Sequence, residues 1–254
     1  MESLKCENIF KEFGKVPVIE DVSFGIGDGE CRAIIGPNGA GKTTLFNLIA
    51  GQLYPSAGRI YLLGQDITTI PLHERVHLGL ARTFQITNLM FDLTVMENAL
   101  LAIKVVMPFR SVLFRSQKRY AGLFDESERL LTQWGLWERR NDLVKNLSYG
   151  EQRQTELVMA LASKPKILLL DEPTSGLSGA ESVSFVDLIR KAKQDITVVI
   201  VEHHMDVIFD LADFISVLHY GKVIAEGTKE EIVTNAKVKE VYLGEDPEED
   251  ASTN

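Results

Sequence analysis

Cys31-Arg32-Ala33-Ile34-Ile35-Gly36-Pro37-Asn38-Gly39-Ala40-Gly41-Lys42-Thr43-Thr44 joins a short apolar run to a glycine-rich loop, and Thr43–Ala50 beyond it has helical spacing that stops at Gly51. The loop fits G-x-x-x-x-G-K-[ST] and lies where that pattern has meaning, after a strand and before a helix. Glycines let backbone N–H groups curl around phosphate oxygens with no Cβ in the way, and the helix N-terminus adds its partial positive charge. Lys42 is expected to reach the β and γ phosphates of a nucleotide, and Thr43 to bind Mg²⁺.

Outward from this stretch, the chain reads as strand signals, then helices, then alternation. Leu4–Phe13 and Val16–Ile26 read as extended, and Gly58–Ile67 as a strand after a turn at Pro55–Gly58. From Thr94 to Ser163 helical periodicity takes over, as in Glu126–Trp134 and Glu151–Ala162. Then Lys166–Asp171 and Ile196–Val201 read as strands, Ala180–Lys193 and Met205–Leu211 as helices, and Phe214–His219 with Lys222–Glu226 as a hairpin about Tyr220–Gly221. Such alternation argues for a parallel α/β core with a helical lobe inserted in it.

The run Ile167-Leu168-Leu169-Leu170-Asp171-Glu172 delivers two carboxylates to the carboxyl edge of that sheet, where ligands bind in open α/β folds. Downstream of a phosphate loop, Asp171 is expected to hold Mg²⁺ through water, and Glu172 to orient and deprotonate an attacking water. Leu147-Ser148-Tyr149-Gly150-Glu151-Gln152 opens a long helix, with Ser148 as a natural N-cap.

With these three motifs in this order, the chain resembles the ATP-binding subunits of ABC transporters over Leu4 to about Leu243. The resemblance implies a single domain with a P-loop NTPase core, an antiparallel β subdomain and an inserted helical subdomain. Residues 1–85 with 164–243 would form the core, 86–163 the helical subdomain, and 244–254 an acidic tail. Ser148, Tyr149, Gly150 and Glu151 would be the signature that caps ATP held by a second subunit. Tyr149 departs from the common L-S-G-G-Q form, and so does Glu151 before Gln152. Gln85 matches a glutamine that touches Mg²⁺ or water and hinges the helical lobe. His203 matches the switch histidine at the γ phosphate; its neighbour His204 stands where Asp is frequent. Phe13 matches the aromatic that stacks on adenine, with Val18 on the same face. A core position is the competing reading for Phe13. Ser178, in Ser175-Gly176-Leu177-Ser178, replaces a usual Asp. ATP and Mg²⁺ are the implied cofactors. Glu172, His203, Gln85 and Lys42 are the implied catalytic set.

Ala81-Arg82-Thr83-Phe84-Gln85, the run Phe91–Ala99, Val201-Glu202-His203-His204-Met205-Asp206 and Tyr242-Leu243-Gly244 are similar to the branched-chain amino-acid importer branch of that family. An importer implies two membrane-spanning permease subunits, a second ATP-binding subunit, like or unlike, and indirectly an extracytoplasmic binding protein. It places this chain at the cytoplasmic face of the membrane. A urea or amide importer and a lipopolysaccharide-type exporter are the alternatives in the same class. A non-transport ATPase of DNA repair or translation is the alternative outside it.

Composition bounds these readings. The 254 residues are 45% hydrophobic and 25% charged, as in a globular protein, and the net charge of −9 gives no support to nucleic acid as a partner. Cys6 and Cys31 have no metal or redox spacing and are expected to be buried thiols. Glu2, Lys5 and Glu7 interrupt any leader-like apolar run, and no stretch approaches the ~20 apolar residues of a spanning helix. Phe109–Tyr120 carries four basic residues among aromatics and reads as a solvated face, with contact to a membrane partner or to headgroups as the alternative. His73-Glu74-Arg75-Val76-His77 fits the zinc motif H-E-x-x-H, but Pro71 and Gly79 leave it about two turns, and a polar amphipathic helix is the expectation there.

Overall fold

A computed structural model describes the backbone of residues 2–83, 89–105 and 117–243. Gln85, most of the basic stretch 109–120 and the acidic tail lie outside the described residues.

The chain builds two sheets. The first is antiparallel, ordered β2-β1-β4-β5, from β1 (Glu2–Phe13), β2 (Val16–Gly27), β4 (Ala57–Leu62) and β5 (Gln65–Asp66). The second is ordered β10-β9-β3-β8-β7-β6, from β3 (Cys31–Ile35), β6 (Leu80–Arg82), β7 (Ile167–Asp171), β8 (Thr197–Val201), β9 (Phe214–His219) and β10 (Lys222–Gly227). β9-β3-β8-β7-β6 run parallel, and β10 pairs antiparallel to β9. Every residue of β3, β7 and β8 is buried, as strands covered on both faces must be.

Side chains alternate across this sheet. Ile167 and Leu169 of β7 pack with Leu45, Phe46 and Ile49 of α1 (Lys42–Ala50) and with the antiparallel sheet. Leu168 and Leu170 pack on the other side, with helices α3 (Val95–Val105), α4 (Gln117–Gln133), α5 (Tyr149–Leu161), α6 (Gly179–Ala192) and α7 (Met205–Leu211). One layer thus carries the phosphate loop and the other the helices.

The expected strand Gly58–Ile67 is instead a hairpin. Leu63 and Gly64 take φ values of +51° and +80°, which reverse the chain between β4 and β5. The short β6 was not anticipated; three residues carry no readable period. Nor were α8 (Lys229–Thr234) and α9 (Ala236–Leu243), although Thr228 and Glu231 form a capping box that the sequence displays.

The H-E-x-x-H segment is not one regular helix. Helix α2 (Leu72–Arg75) is short, and the chain then tightens to a 3₁₀ turn over Val76–Leu78. Nor is its middle solvated: Arg75 is fully buried. Its guanidinium donates to the carbonyls of Leu48 and Ile49 at the end of α1, and to those of Ile67 and Ile70. It satisfies helix-end acceptors that water cannot reach. Burial pulls its pKa down to about 10. Among the described residues no group of three or more His, Cys, Asp or Glu side chains is placed to hold a metal ion by itself. Both cysteines are buried, and burial pushes each thiol up to about 12.

Candidate nucleotide site

The carboxyl ends of β3, β8, β7 and β6 lie side by side. Ile34 is in register with Val201, Val201 with Asp171, and Arg82 with Leu169. The loops after these strands bring together residues far apart in sequence.

After β3, the chain turns through Gly36, Gly39 and Gly41 at φ of +155°, +78° and +102°. A Cβ on Gly36 would lie 2.0 Å from the Leu218 carbonyl oxygen, and one on Gly41 2.8 Å from Ile19 Cδ1 and 3.0 Å from the Val18 oxygen. These positions demand glycine for space as well as for backbone angle. Pro37, Asn38 and Ala40 complete the turn, with the Ala40 N–H donating to the Pro37 carbonyl. Lys42 is 7% exposed, and its ammonium donates to the carbonyls of Gly36 (2.6 Å) and Pro37 (2.9 Å). Burial lowers its pKa, against the opposing pull of Glu172. Thr43 and Thr44 stand in the first turn of α1, with Thr43 exposed.

After β7, Asp171 is 2% exposed and Glu172 takes a φ of +45°. A glutamate in this region is strained, and the strain is held by its N–H bond to the Val201 carbonyl. Glu172 Oε1 lies 2.7 Å from His203 Nε2, so the two expected catalytic residues meet directly. Asp171 Oδ2 accepts from Arg82 Nη2 at 2.8 Å. Burial raises the Asp171 carboxyl above its ordinary range while Arg82 pulls the other way. Its Oδ1 is buried with no hydrogen-bond partner among the described residues.

Two residues here were not singled out from the sequence. One is Arg82. The other is Glu202, 2% exposed, which accepts from the hydroxyl of Thr174 (2.7 Å) and from the N–H groups of Thr174, His203 and His204. Burial pushes the Glu202 carboxyl up, but these bonds together hold it below the usual range. It braces the His203 turn against the loop that follows Glu172. A glutamate ending an apolar strand was the available signal.

Ser148 is the N-cap of α5, in a capping box. The Glu151 N–H donates to Ser148 Oγ (3.3 Å) and the Ser148 N–H to Glu151 Oε2 (2.9 Å). Tyr149 donates to the Ser175 carbonyl (3.3 Å) and accepts from Arg153 Nε (3.1 Å), and a Cβ on Gly150 would lie 2.8 Å from Glu181 Oε1. The motif at 148–151 therefore rests on the loop 175–178 of its own chain. Ser178 caps α6 in a second box with Glu181, so the residue standing where Asp is usual still serves as a cap. Phe13 lies at the end of the β1–β2 hairpin, 48% exposed, which answers the core alternative. Val18 is half-buried, its carbonyl against Gly41.

Comparison with known proteins agrees with this geometry. Residues 19–175 match the family model described as ABC transporter, and residues 222–248 that described as branched-chain amino acid ATP-binding cassette transporter. A probable branched-chain amino acid transport ATP-binding protein of Archaeoglobus fulgidus is 35% identical, with 96% of each chain covered. The high-affinity branched-chain amino acid transport ATP-binding protein BraF of Pseudomonas aeruginosa is 34% identical over 95% of this chain and 98% of its own. The lipopolysaccharide export ATP-binding protein LptB of Acidithiobacillus ferridurans is also 34% identical, over 96% of this chain and 98% of its own. The crystal structure of a nucleotide-free ATP-binding cassette from an ABC transporter superposes with a TM-score of 0.83 at 32% identity, covering 96% of this chain and all of that one. A P-loop, two carboxylates at the adjoining strand end and a full-length match to such cassettes lead to one result: this chain belongs to the ATP-binding, ATP-hydrolysing subunits of ABC transporters.

Proposed function

We propose that this chain powers the uptake of branched-chain amino acids, working at the cytoplasmic face of the membrane with two permease subunits and a second ATP-binding subunit. The observation that carries the substrate class is the match of residues 222–248 to the branched-chain amino acid model, beside relatives of that name along the whole chain. No helix among the described residues is long and apolar enough to cross a membrane.

The site fits a magnesium ion. Thr43 is an exposed hydroxyl, Asp171 offers a buried carboxylate oxygen with no donor among the described residues, and Mg²⁺ favours such oxygen ligands with waters between. Bound there, the ion would neutralise charge on the phosphates. The phosphate loop and Lys42 bind and orient the phosphates. Lys42 leaves its carbonyl partners for them, exchanging neutral acceptors for charged ones. Glu172 takes the proton of the attacking water, and His203, bonded to Glu172, fixes its carboxylate. The motif at 148–151 closes over ATP on the other subunit. ATP shifts the pair toward the closed state only by its preference for that state.

The test is to tag the chain in its native host, solubilise the membranes gently and identify what co-purifies. Two permease subunits, a second ATP-binding chain and a binding protein that takes leucine, isoleucine or valine are the expected recovery. A lipid-export partner, or a binding protein specific for urea, would overturn the assigned substrate and leave the ATPase in place.

A further inference from the structure

We infer that Arg82 is a positioning residue for the divalent-metal site, holding the Asp171 carboxylate between the phosphate-loop helix and β7. The inference rests on the reading of Asp171 as the metal-facing carboxylate.

The Arg82 side chain is 5% exposed and that of Asp171 is 1% exposed. Arg82 is the last residue of β6, in register with Leu169 two residues before Asp171. Among the described residues its fork reaches Asp171 Oδ2 through Nη2 (2.8 Å), and Asn47 Oδ1 (2.7 Å) in α1 and Gln52 Oε1 (2.8 Å) just beyond it through Nη1. The guanidinium carbon lies 5.2 Å from the Phe46 ring centroid. A planar fork locked by two amides and a ring has little freedom, and it passes that rigidity to the carboxylate it holds.

The division of labour at Asp171 follows. One carboxylate oxygen is taken by Arg82, and the other is buried and bonded to nothing described. A buried carboxylate oxygen without a donor is costly, so its persistence marks it as reserved for a ligand. Arg82 decides which oxygen that is, because its bond to Oδ2 fixes the rotation of the carboxyl. It also ties that choice to α1, whose first turn carries Thr43. Both oxygen donors of the metal site are thereby referred to one framework. Groups that orient a ligand in this way are worth as much as the ligand's own placement requires. Lysine cannot replace the fork, since one compact ammonium cannot reach Asp171, Asn47 and Gln52 in a plane.

The test uses the purified full chain and binding of a fluorescent ATP analogue, read once in EDTA and once across a Mn²⁺ titration. Arg82→Met and Arg82→Lys should raise the Mn²⁺ concentration for half-effect by about 10- to 100-fold. Binding in EDTA should stay near that of the parent. Asn47→Ala should show a smaller shift of the same kind, and it carries the test if Arg82→Met does not fold. Equal weakening with and without Mn²⁺ would overturn the inference, as would an unchanged Mn²⁺ dependence. Asp171→Asn separates the two readings: if that variant keeps the parent's Mn²⁺ response, the metal site itself is misplaced, whatever Arg82 does.

Discussion

Glu172 sits in a backbone conformation that glutamate rarely takes, one bond from His203 and adjacent to a carboxylate already claimed by Arg82. Those constraints favour the base proposed at Glu172 over its neighbour. Glu172→Gln keeps the shape and removes the basic oxygen. ATP turnover should fall by about 10²- to 10⁴-fold, with ATP binding retained. Single-turnover hydrolysis beside equilibrium nucleotide binding checks this; near-parental hydrolysis would unseat Glu172. The acidic pair and the loop lysine were legible because their spacing is local. Arg82 and Glu202 were not. Arg82 meets its carboxylate 89 residues away, and Glu202 meets Thr174 at a separation of 28, so neither leaves a local pattern.

Among the elements, α1 depends on a residue outside itself. It starts at Gly41, whose φ of +102° only glycine tolerates at ease, and ends against Arg75. Arg75→Met would leave the carbonyls of Leu48, Ile49 and Ile67 buried without that donor. Leu48 and Ile67 keep the N–H groups of Gly51 and Ile70 as donors, so at about 1–3 kcal/mol for the Ile49 carbonyl left unpaired the loss should exceed ~1 kcal/mol, and chemical denaturation against the parent measures it. A change under ~1 kcal/mol would mean the carbonyls find water. The sequence offered zinc chemistry or a polar helix for this segment because H-E-x-x-H is visible and the far carbonyls that engage Arg75 are not. The same limit hid the β4–β5 reversal. Leu63 gives no turn signal of its own, and only Gly64 beside it hints at one.

For the whole molecule, the acid side of stability is set by carboxylates held low. Glu202, Glu151, Glu181 and Glu97 all titrate below their ordinary 4.5 in the folded state. A depressed carboxyl contributes its stability fully above the unfolded value, and the contribution fades as pH falls through the folded one. Asp171, raised by burial, acts in the opposite sense. Of these five only Glu202 is both buried and depressed, so it should dominate. Melting temperature should therefore drop from about pH 4.5 downward, and Glu202→Gln, less stable at neutral pH, should show a flatter acid limb. Parallel limbs for the two proteins would remove Glu202 from that role. The class of fold was legible at this scale because continuous apolar runs, a phosphate loop and strand–helix alternation are global patterns. The partition of the core into two clusters was not, since it depends on which face each strand residue takes.

That partition makes the site a matter of odd and even. In β7 the odd residues Ile167 and Leu169 face the layer of the phosphate loop, and Asp171 continues their count; Leu168 and Leu170 face the helices. Inserting one residue in this strand would send the aspartate to the wrong layer while keeping every letter of the motif. Removing two would preserve the facing and shorten only the reach. Evolution of this strand is thus confined to paired steps, and the identity of the acid proposed to face the metal is set by arithmetic along the backbone as much as by its carboxyl group.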